Sequence, residues 1–119
     1  MAVRRGHFHG LQEDIARALG VTQVTQQRAF GARVILVAES EVDIVLHVTG
    51  SPREWDTCAL QVIVEEAGGV MVNCLGDRPR YLKEDLVQPH GTIVTGAALA
   101  ERVLGTVTPM YRRERGLPS

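Results

Sequence analysis

The chain has 119 residues, which is enough for one hydrophobic core, and its 45% hydrophobic and 23% charged content is typical of a globular domain. A formal net charge of -1 argues against a nucleic-acid polymer as partner. Two cysteines are too few for a disulfide-stapled secreted fold, and no apolar stretch reaches the roughly 18 residues that a membrane helix needs. We therefore expect a cytoplasmic protein without membrane contact.

The first predicted element is an amphipathic helix. Leu11, Ile15 and Leu19 recur at helical spacing, and Gly20 suits the left-handed position that ends many helices. Residues 21–25 are β-branched and polar, a composition that favours a short strand. The segment therefore predicts a helix followed by a strand.

The secondary structure of residues 34–38 is ambiguous, whereas that of residues 42–48 is clear. Residues 34–38 form a continuous apolar run, and periodicity alone does not separate a buried strand from a buried helix in so short a run. Residues 42–48 alternate between the two faces expected of a strand, and the Gly-Ser-Pro at 50–52 ends it. A strand is therefore predicted over 42–48, and the run before it stays open on composition.

The clearest helix is predicted over residues 56–67, with Gly68 as its stop. Its expected apolar stripe consists of Ala59, Leu60, Ile63, Val64 and Ala67. Because strands and helices alternate along the chain, the pattern favours an α/β layered fold.

The remaining elements complete one domain, which we place at residues 1–105. Residues 70–74 and 91–96 predict two further strands, and residues 97–104 predict a final helix. Residues 106–119 contain two prolines and three arginines, and we expect them to form a flexible tail.

Asp56 is the first residue with two possible roles. An aspartate in the first turn of a helix can accept a hydrogen bond from a free backbone N–H and suits the positive end of the helix dipole. A carboxylate fixed at a helix start, here beside Trp55, is also a suitable ligand for Mg²⁺, which prefers oxygen atoms. The two roles are compatible, and spacing alone favours the N-cap role.

Three segments together resemble the C-terminal signature of the inositol monophosphatase superfamily. Residues 53–59 read Arg-Glu-Trp-Asp-Thr-Cys-Ala, residues 65–70 read Glu-Glu-Ala-Gly-Gly-Val, and Gly76, Pro79 and Tyr81 follow. The Glu-Trp-Asp-Thr sequence is most similar to that of the 3′(2′),5′-bisphosphate nucleotidase branch. The resemblance implies a layered αβα sandwich with a mixed, largely parallel sheet, equivalent to the C-terminal domain of that fold. It also implies that residues 28–39 are helical.

The resemblance implies a function as well. Members of the family are Mg²⁺-dependent phosphomonoesterases, so Asp56 is expected to be a metal ligand and Thr57 to lie near a phosphorylated small-molecule substrate. Arg5 and His7 match two positions of a family segment that meets substrate, so Arg5 is expected to contact phosphate. Ala29-Phe30 replaces the family's Gly-Ser and Arg33 its usual lysine, so substrate contacts in that region depart from the family pattern.

The other metal ligands of the family come from a Glu-Glu segment and an Asp-Pro-x-Asp-Gly-Thr motif, and neither is present in this sequence. We therefore expect the C-terminal part of a Mg²⁺-dependent phosphatase that is inactive unless a separate N-terminal half completes the site. The alternative is a non-catalytic interaction or oligomerisation module built on that fold, and a truncated product without function also stays open. The expected partners are such an N-terminal half or further copies of the chain.

Six other residues have simpler interpretations. His7 and His9 could share a face and bind a transition metal, but solvated histidines are the simpler reading. Cys58 and Cys74 lack a motif for catalysis and are expected to be buried. The remaining acids of the main helix, Glu65 and Glu66, are expected to be solvated or paired with an arginine.

Overall fold

The computed structural model describes residues 1–3, 10–26, 33–35, 37, 43–47, 54–78 and 90–117. Its elements, in chain order, are β1 (Ala2–Val3), α1 (Leu11–Leu19), β2 (Thr25–Gln26), β3 (Ile44–His47), α2 (Glu54–Glu66), β4 (Gly69–Val72), β5 (Thr92–Gly96) and α3 (Ala97–Glu114). Residues 33–35 and 37 are helical as well, which confirms at those positions the helix expected over 28–39. None of the helices in the described part of the chain is long and apolar enough to cross a membrane.

Within the described residues, the strands form one sheet in the order β2-β1-β3-β5-β4. β1 runs parallel to β2 over two residue pairs and to β3 through one pair. β5 runs antiparallel to β3 and to β4, over four residue pairs on each side. The sheet is therefore mixed, and the expectation of a largely parallel sheet is not confirmed, because the longer ladders are antiparallel.

Helices cover both faces of this sheet, and β3 shows how its side chains are divided. Leu46 belongs to a buried cluster with Ile15 of α1 and Val107 of α3. The next residue back, Val45, belongs to a second buried cluster with Val64 of α2. Because alternate residues of a strand point to opposite faces, one face packs on α1 and α3 and the other on α2. The α/β class and the αβα layering are therefore confirmed.

The strand predicted over residues 21–25 is largely absent, and the way α1 ends explains why. The N–H of Val21 donates to the carbonyl of Ala16 at 3.0 Å, in the pattern that closes a helix with a left-handed residue. That donor is therefore used by the helix cap and not by a sheet ladder. The chain joins the sheet only at Thr25, whose N–H donates to the carbonyl of Met1 at 2.8 Å.

We expected a flexible tail from residue 106, and this expectation is wrong for most of the segment. α3 continues to Glu114 with Pro109 inside it, and both Val107 and Tyr111 are buried. The Tyr111 ring meets the ring of His90 edge-on, and the Arg115 guanidinium lies 5.2 Å from its centre. Burial of two large side chains outweighs the hydrogen bond that a proline removes from a helix.

The two cysteines differ in burial, so the expectation holds for one of them. Cys74 is fully buried, and burial raises the pKa of its thiol to about 12, whereas Cys58 is exposed on α2. Because the thiolate is the reactive form, Cys74 should be inert in the folded protein.

We predict that a maleimide near neutral pH modifies one thiol per folded chain quickly, at Cys58, and Cys74 only after denaturation. Mass spectrometry of the labelled peptides measures this. Cys58→Ser should remove the fast phase entirely. Rapid labelling of Cys74 in the native protein would contradict the packing described here.

Candidate metal and substrate site

The predicted metal ligand stands in the first turn of α2. The helix begins at Glu54, so Asp56 is its third residue, and the N-cap position belongs to an earlier residue. The described side chains of α2 begin with Cys58, so the structure places Asp56 and Thr57 by their backbone alone. Arg5, the other predicted substrate contact, lies outside the described residues. The structure thus confirms the first-turn position of Asp56, with Thr57 next to it in the same helix.

The position of Asp56 is fixed by the packing of the inner face of α2 on the sheet. Val64 is 1% exposed and Gln61 is 6% exposed, and Leu60 packs partly buried against the same cluster. This face is centred on positions 60, 61 and 64, which adjoin one another at helical spacing. The predicted stripe is therefore only partly right, because Ile63 is 42% exposed and faces away from the sheet.

The far end of α2 is tied to the turn that follows β4. The Arg78 guanidinium donates to the Glu65 carboxylate at 2.6 Å, and the Gln61 amide donates to the same oxygen at 2.8 Å. These two hydrogen bonds, the one from Gln61 first, lower the pKa of Glu65. The expected arginine partner is confirmed. Since the Arg78 and Glu65 side chains are both exposed to water, the ion pair orients the turn more than it stabilises the fold.

The turn itself is held by Asn73. Its side-chain oxygen accepts from the backbone N–H of Leu75 and of Asp77, both at 2.9 Å. Its own N–H donates to the carbonyl of Asp77 at 2.7 Å. Asparagine often accepts hydrogen bonds from the backbone two residues further on, in an Asx turn, and this role of Asn73 was not predicted. Asn73 and Arg78 thus connect two parts of the family signature that are separate in the sequence.

The two positions of the Gly-Gly pair require glycine for different physical reasons. Gly68 has a φ of 85°, the left-handed conformation that ends the helix. A Cβ at Gly69 would lie 2.8 Å from Val64 Cγ1 and 3.2 Å from the carbonyl oxygen of Thr95. The first glycine therefore turns the chain, and the second lets the end of α2 approach β5 closely.

A buried cation lies in the same layer as α2. Arg33 is 1% exposed, and its guanidinium lies 3.3 Å from Nδ1 of His47, which is 7% exposed. The neighbouring Val34 packs in the cluster that contains Val64. Arg33 stands where the family usually has lysine, so the structure keeps a positive charge there but buries it beside an imidazole.

The described side chains do not form a metal site. Among them, no group of three or more histidine, cysteine, aspartate or glutamate side chains is close enough to hold an ion. The described side chains, which do not include that of Asp56, therefore do not by themselves make up the Mg²⁺ site that the resemblance implies. Any such site at Asp56 needs ligands beyond this set.

In this αβα sandwich, α2 carries Trp-Asp in its first turn and Glu-Ala-Gly-Gly at its C-terminal end. Comparison with known families agrees, since the profile of the inositol monophosphatase family matches residues 3–108. The chain belongs to the inositol monophosphatase family. This confirms the family expected from the signature segments.

Curated relatives come from the branch that the signature indicated. The chain is 30% identical over 108 residues to the 3'(2'),5'-bisphosphate nucleotidase of Schizosaccharomyces pombe, covering 86% of this chain and 31% of that protein. It is 28% identical over 80 residues to 3'(2'),5'-bisphosphate nucleotidase 1 of Mus musculus, covering 67% of this chain and 26% of that one. The chain thus spans less than a third of the length of the curated relatives that it matches.

Solved structures agree on the fold. CysQ from Bacteroides thetaiotaomicron, a bacterial member of the family, superposes with a TM-score of 0.68 at 29% identity, covering 80% of this chain and 36% of that one. Inositol monophosphatase II from Staphylococcus aureus superposes with a TM-score of 0.73 at 13% identity, covering 97% and 42%. At that lower identity the likeness concerns the fold alone.

We predict that Gly69→Ala lowers the free energy of unfolding by about 2 kcal/mol, because its Cβ would collide with Val64 and the Thr95 carbonyl. The matched control is Gly96, the strand partner of Gly69, where a Cβ would meet nothing within 4 Å. Gly96 is also the N-cap residue of α3, where alanine is less favourable than glycine, so Gly96→Ala should cost less than about 1 kcal/mol. Urea denaturation of both variants measures the difference. Equal stabilities would contradict the close approach.

Proposed function

We propose that this chain is the metal-ligand-bearing C-terminal part of a Mg²⁺-dependent phosphomonoesterase. The observation that carries the proposal is the position of Asp56 in the first turn of α2, a helix that is packed on the sheet and tied at its far end. A carboxylate on a helix that is held in place at its far end is suited to Mg²⁺, because Mg²⁺ tolerates little departure from its preferred geometry. In this proposal Asp56 is one metal ligand, with Thr57 beside the substrate.

The proposal requires metal ligands beyond the described residues of this chain. A single carboxylate about 4 Å from a divalent ion in water contributes only about 2 kcal/mol of attraction, too little to hold a metal at cellular concentrations. The described acids do not add a cluster. We therefore propose that a separate chain with the N-terminal acids of the family completes the site, and that this chain alone is inactive.

The proposed substrates are small phosphorylated molecules. The curated relatives are named as 3'(2'),5'-bisphosphate nucleotidases, and related crystal structures contain inositol monophosphate or 2'AMP. These names support a nucleoside 3′,5′-bisphosphate or an inositol monophosphate as the substrate of the completed site. Arg5 is proposed to contact the phosphate, since a guanidinium matches phosphate oxygens in pairs. A cytoplasmic location suits such substrates and belongs to the same proposal.

We predict that mixing this chain with an N-terminal segment from a bisphosphate nucleotidase gives Mg²⁺-dependent phosphate release from a nucleoside 3′,5′-bisphosphate. Asp56→Asn should lower that activity at least about 100-fold, because a neutral amide binds Mg²⁺ far more weakly than a carboxylate. The matched control is Glu66→Gln at the exposed far end of α2, which should retain activity.

Phosphate release is measured colorimetrically at several Mg²⁺ concentrations, with circular dichroism to show that each variant folds. Unchanged activity in the Asp56→Asn mixture would remove the assigned ligand role. Full activity of this chain without the added segment would contradict the need for a second polypeptide.

A second candidate function is a non-catalytic interaction or oligomerisation module. The observation that favours it is the exposure of two large apolar side chains on α2, Val62 at 59% and Ile63 at 42%. Exposed apolar surface of this kind often marks a contact with another protein. The two candidates concern different parts of the same helix, so one does not exclude the other.

A further inference from the structure

A small cavity lies between the end of α1, the first half of α3 and the starts of β2 and β3. Its volume is about 270 Å³, just below the ~300–1,000 Å³ of sites for drug-sized ligands, so it suits a smaller molecule. Its floor is apolar, because Leu19, Ile44 and Val103 are buried there, with Leu99 partly buried beside them. We call this space the α1–α3 cavity.

Two opposite charges stand at the mouth of the α1–α3 cavity. Asp43 and Arg102 both line it, and both residues are exposed. Among the ion pairs of the described residues, none involves either side chain. The Arg102 guanidinium donates to the carbonyl of Leu19 at 3.2 Å, and the backbone carbonyl of Asp43 accepts from Thr95 Oγ1 at 2.9 Å. These bonds hold both residues in place and leave further guanidinium N–H groups and the Asp43 carboxylate for a ligand.

The amino group of Met1 lines the same cavity and donates to the carbonyl of Gln23 at 2.9 Å. Burial lowers the pKa of this amino group, and the negative charge of Asp43 opposes that change. The Asp43 carboxylate therefore favours positive charge in the cavity, although it forms no ion pair with Met1 in the described part of the chain.

We propose that the α1–α3 cavity binds a free α-amino acid with an aliphatic side chain. Its carboxylate accepts hydrogen bonds from Arg102, its ammonium group lies against Asp43, and its side chain covers the apolar floor. An apolar space with a few converging polar groups is the usual form of a small-molecule site. A phosphorylated substrate suits this cavity less well, because its phosphate would be repelled by Asp43.

The sheet separates this cavity from Asp56. β4 begins at Gly69 directly after α2, and Gly69 pairs with Gly96 at the same edge of the sheet as Ile44. The C-terminal end of α2 therefore lies at the cavity's edge of the sheet, and Asp56 lies toward the opposite edge. α2 also packs on the other face of the sheet. The cavity thus goes beyond the proposed phosphatase function and depends on neither Asp56 nor a metal.

An NMR titration of the ¹⁵N-labelled full chain with L-leucine tests the binding. Amide shifts should saturate with a Kd on the order of 0.1–1 mM, as befits so small a ligand. They should be centred on residues 19–23, 43–44 and 99–103, which line or adjoin the cavity. Shifts that do not saturate, or that are centred elsewhere, would overturn the proposal.

Three analogues test the three contacts of the ligand. The ammonium group is absent from 4-methylpentanoate, the carboxylate is absent from 3-methylbutylamine, and glycine has no side chain. Each should bind at least about 10-fold more weakly than leucine, because each lacks one of the contacts. If any of them binds as tightly as leucine, an aliphatic amino acid is the wrong class of ligand.

Substitutions assign the charged contacts to residues. Arg102→Met should weaken leucine binding at least about 10-fold, and the matched control Arg113→Met, at an exposed position of the same helix, should bind like the wild type. Asp43→Asn should weaken leucine binding by a similar factor without weakening that of 4-methylpentanoate, because only the ammonium group lies against Asp43. Unchanged leucine binding in Arg102→Met or in Asp43→Asn would contradict the assigned contact.

A further variant leaves the polar groups in place, since Arg102→Met also removes the hydrogen bond to Leu19. Leu99→Phe adds volume to the floor and should prevent leucine binding in a protein whose NMR spectrum shows it to be folded. Leucine should raise the Tm of the wild type but not that of Leu99→Phe, because a ligand that binds the folded state stabilises it. Wild-type affinity in folded Leu99→Phe would overturn the site. None of these results alters the test of Asp56, so the two proposals fail separately.

Discussion

The close approach of α2 to the sheet at Gly69 is the constraint on which the rest of this domain depends. Val64 fills the space where a side chain at Gly69 would lie, and Gly68 reverses the chain immediately before it. The helix can therefore end and the next strand begin within two residues. Because β4 then pairs with β5, the same contact sets the height of α2 above the centre of the sheet. The position of Asp56 at the other end of α2 follows from it.

The two ends of α2 have separate tasks in this account. The C-terminal end is fixed by packing and by the Glu65–Arg78 ion pair, so it determines where the helix lies. The N-terminal end carries the residue proposed to bind a metal. This division explains why the family signature consists of separate segments. The glycines and Glu65 determine where the helix lies, and Asp56 is positioned by that helix.

α2 carries apolar side chains on two of its faces. Its inner face packs through Val64, and its outer face exposes Val62 and Ile63. In a sandwich of three layers the outer layer normally presents polar residues to water. The exposed apolar residues of α2 therefore depart from that pattern.

Much of the fold followed from local patterns, and the misses have identifiable causes. The helix that begins at Leu11 and the strand around Val45 were predictable because apolar spacing matches their periods. The sheet was less predictable, since strand direction depends on contacts between distant residues. The helical course through Pro109 was missed because its cause is the burial of Tyr111, a tertiary effect that overrides propensity.

The site was predictable only in part. Trp55-Asp56 and the glycine pair were found because their types and spacing are specific to a family, whereas Asn73 and Arg78 act through geometry that no single segment shows. The exposure of Ile63 was missed for a related reason. An apolar residue at helical spacing suggests a core position, but α2 is apolar on two sides and only the sheet decides which side is inner.

The central claim is that Asp56 holds a metal ion once the missing acids are supplied. Its most direct test is paramagnetic line broadening by Mn²⁺, a substitute for Mg²⁺, in the ¹⁵N-labelled chain mixed with an unlabelled N-terminal segment of a bisphosphate nucleotidase. The account predicts broadening of backbone amides centred on residues 55–58, only when the segment is present, and its loss in Asp56→Asn. Broadening centred elsewhere on a properly assembled complex, or unchanged by that substitution, would contradict the claim.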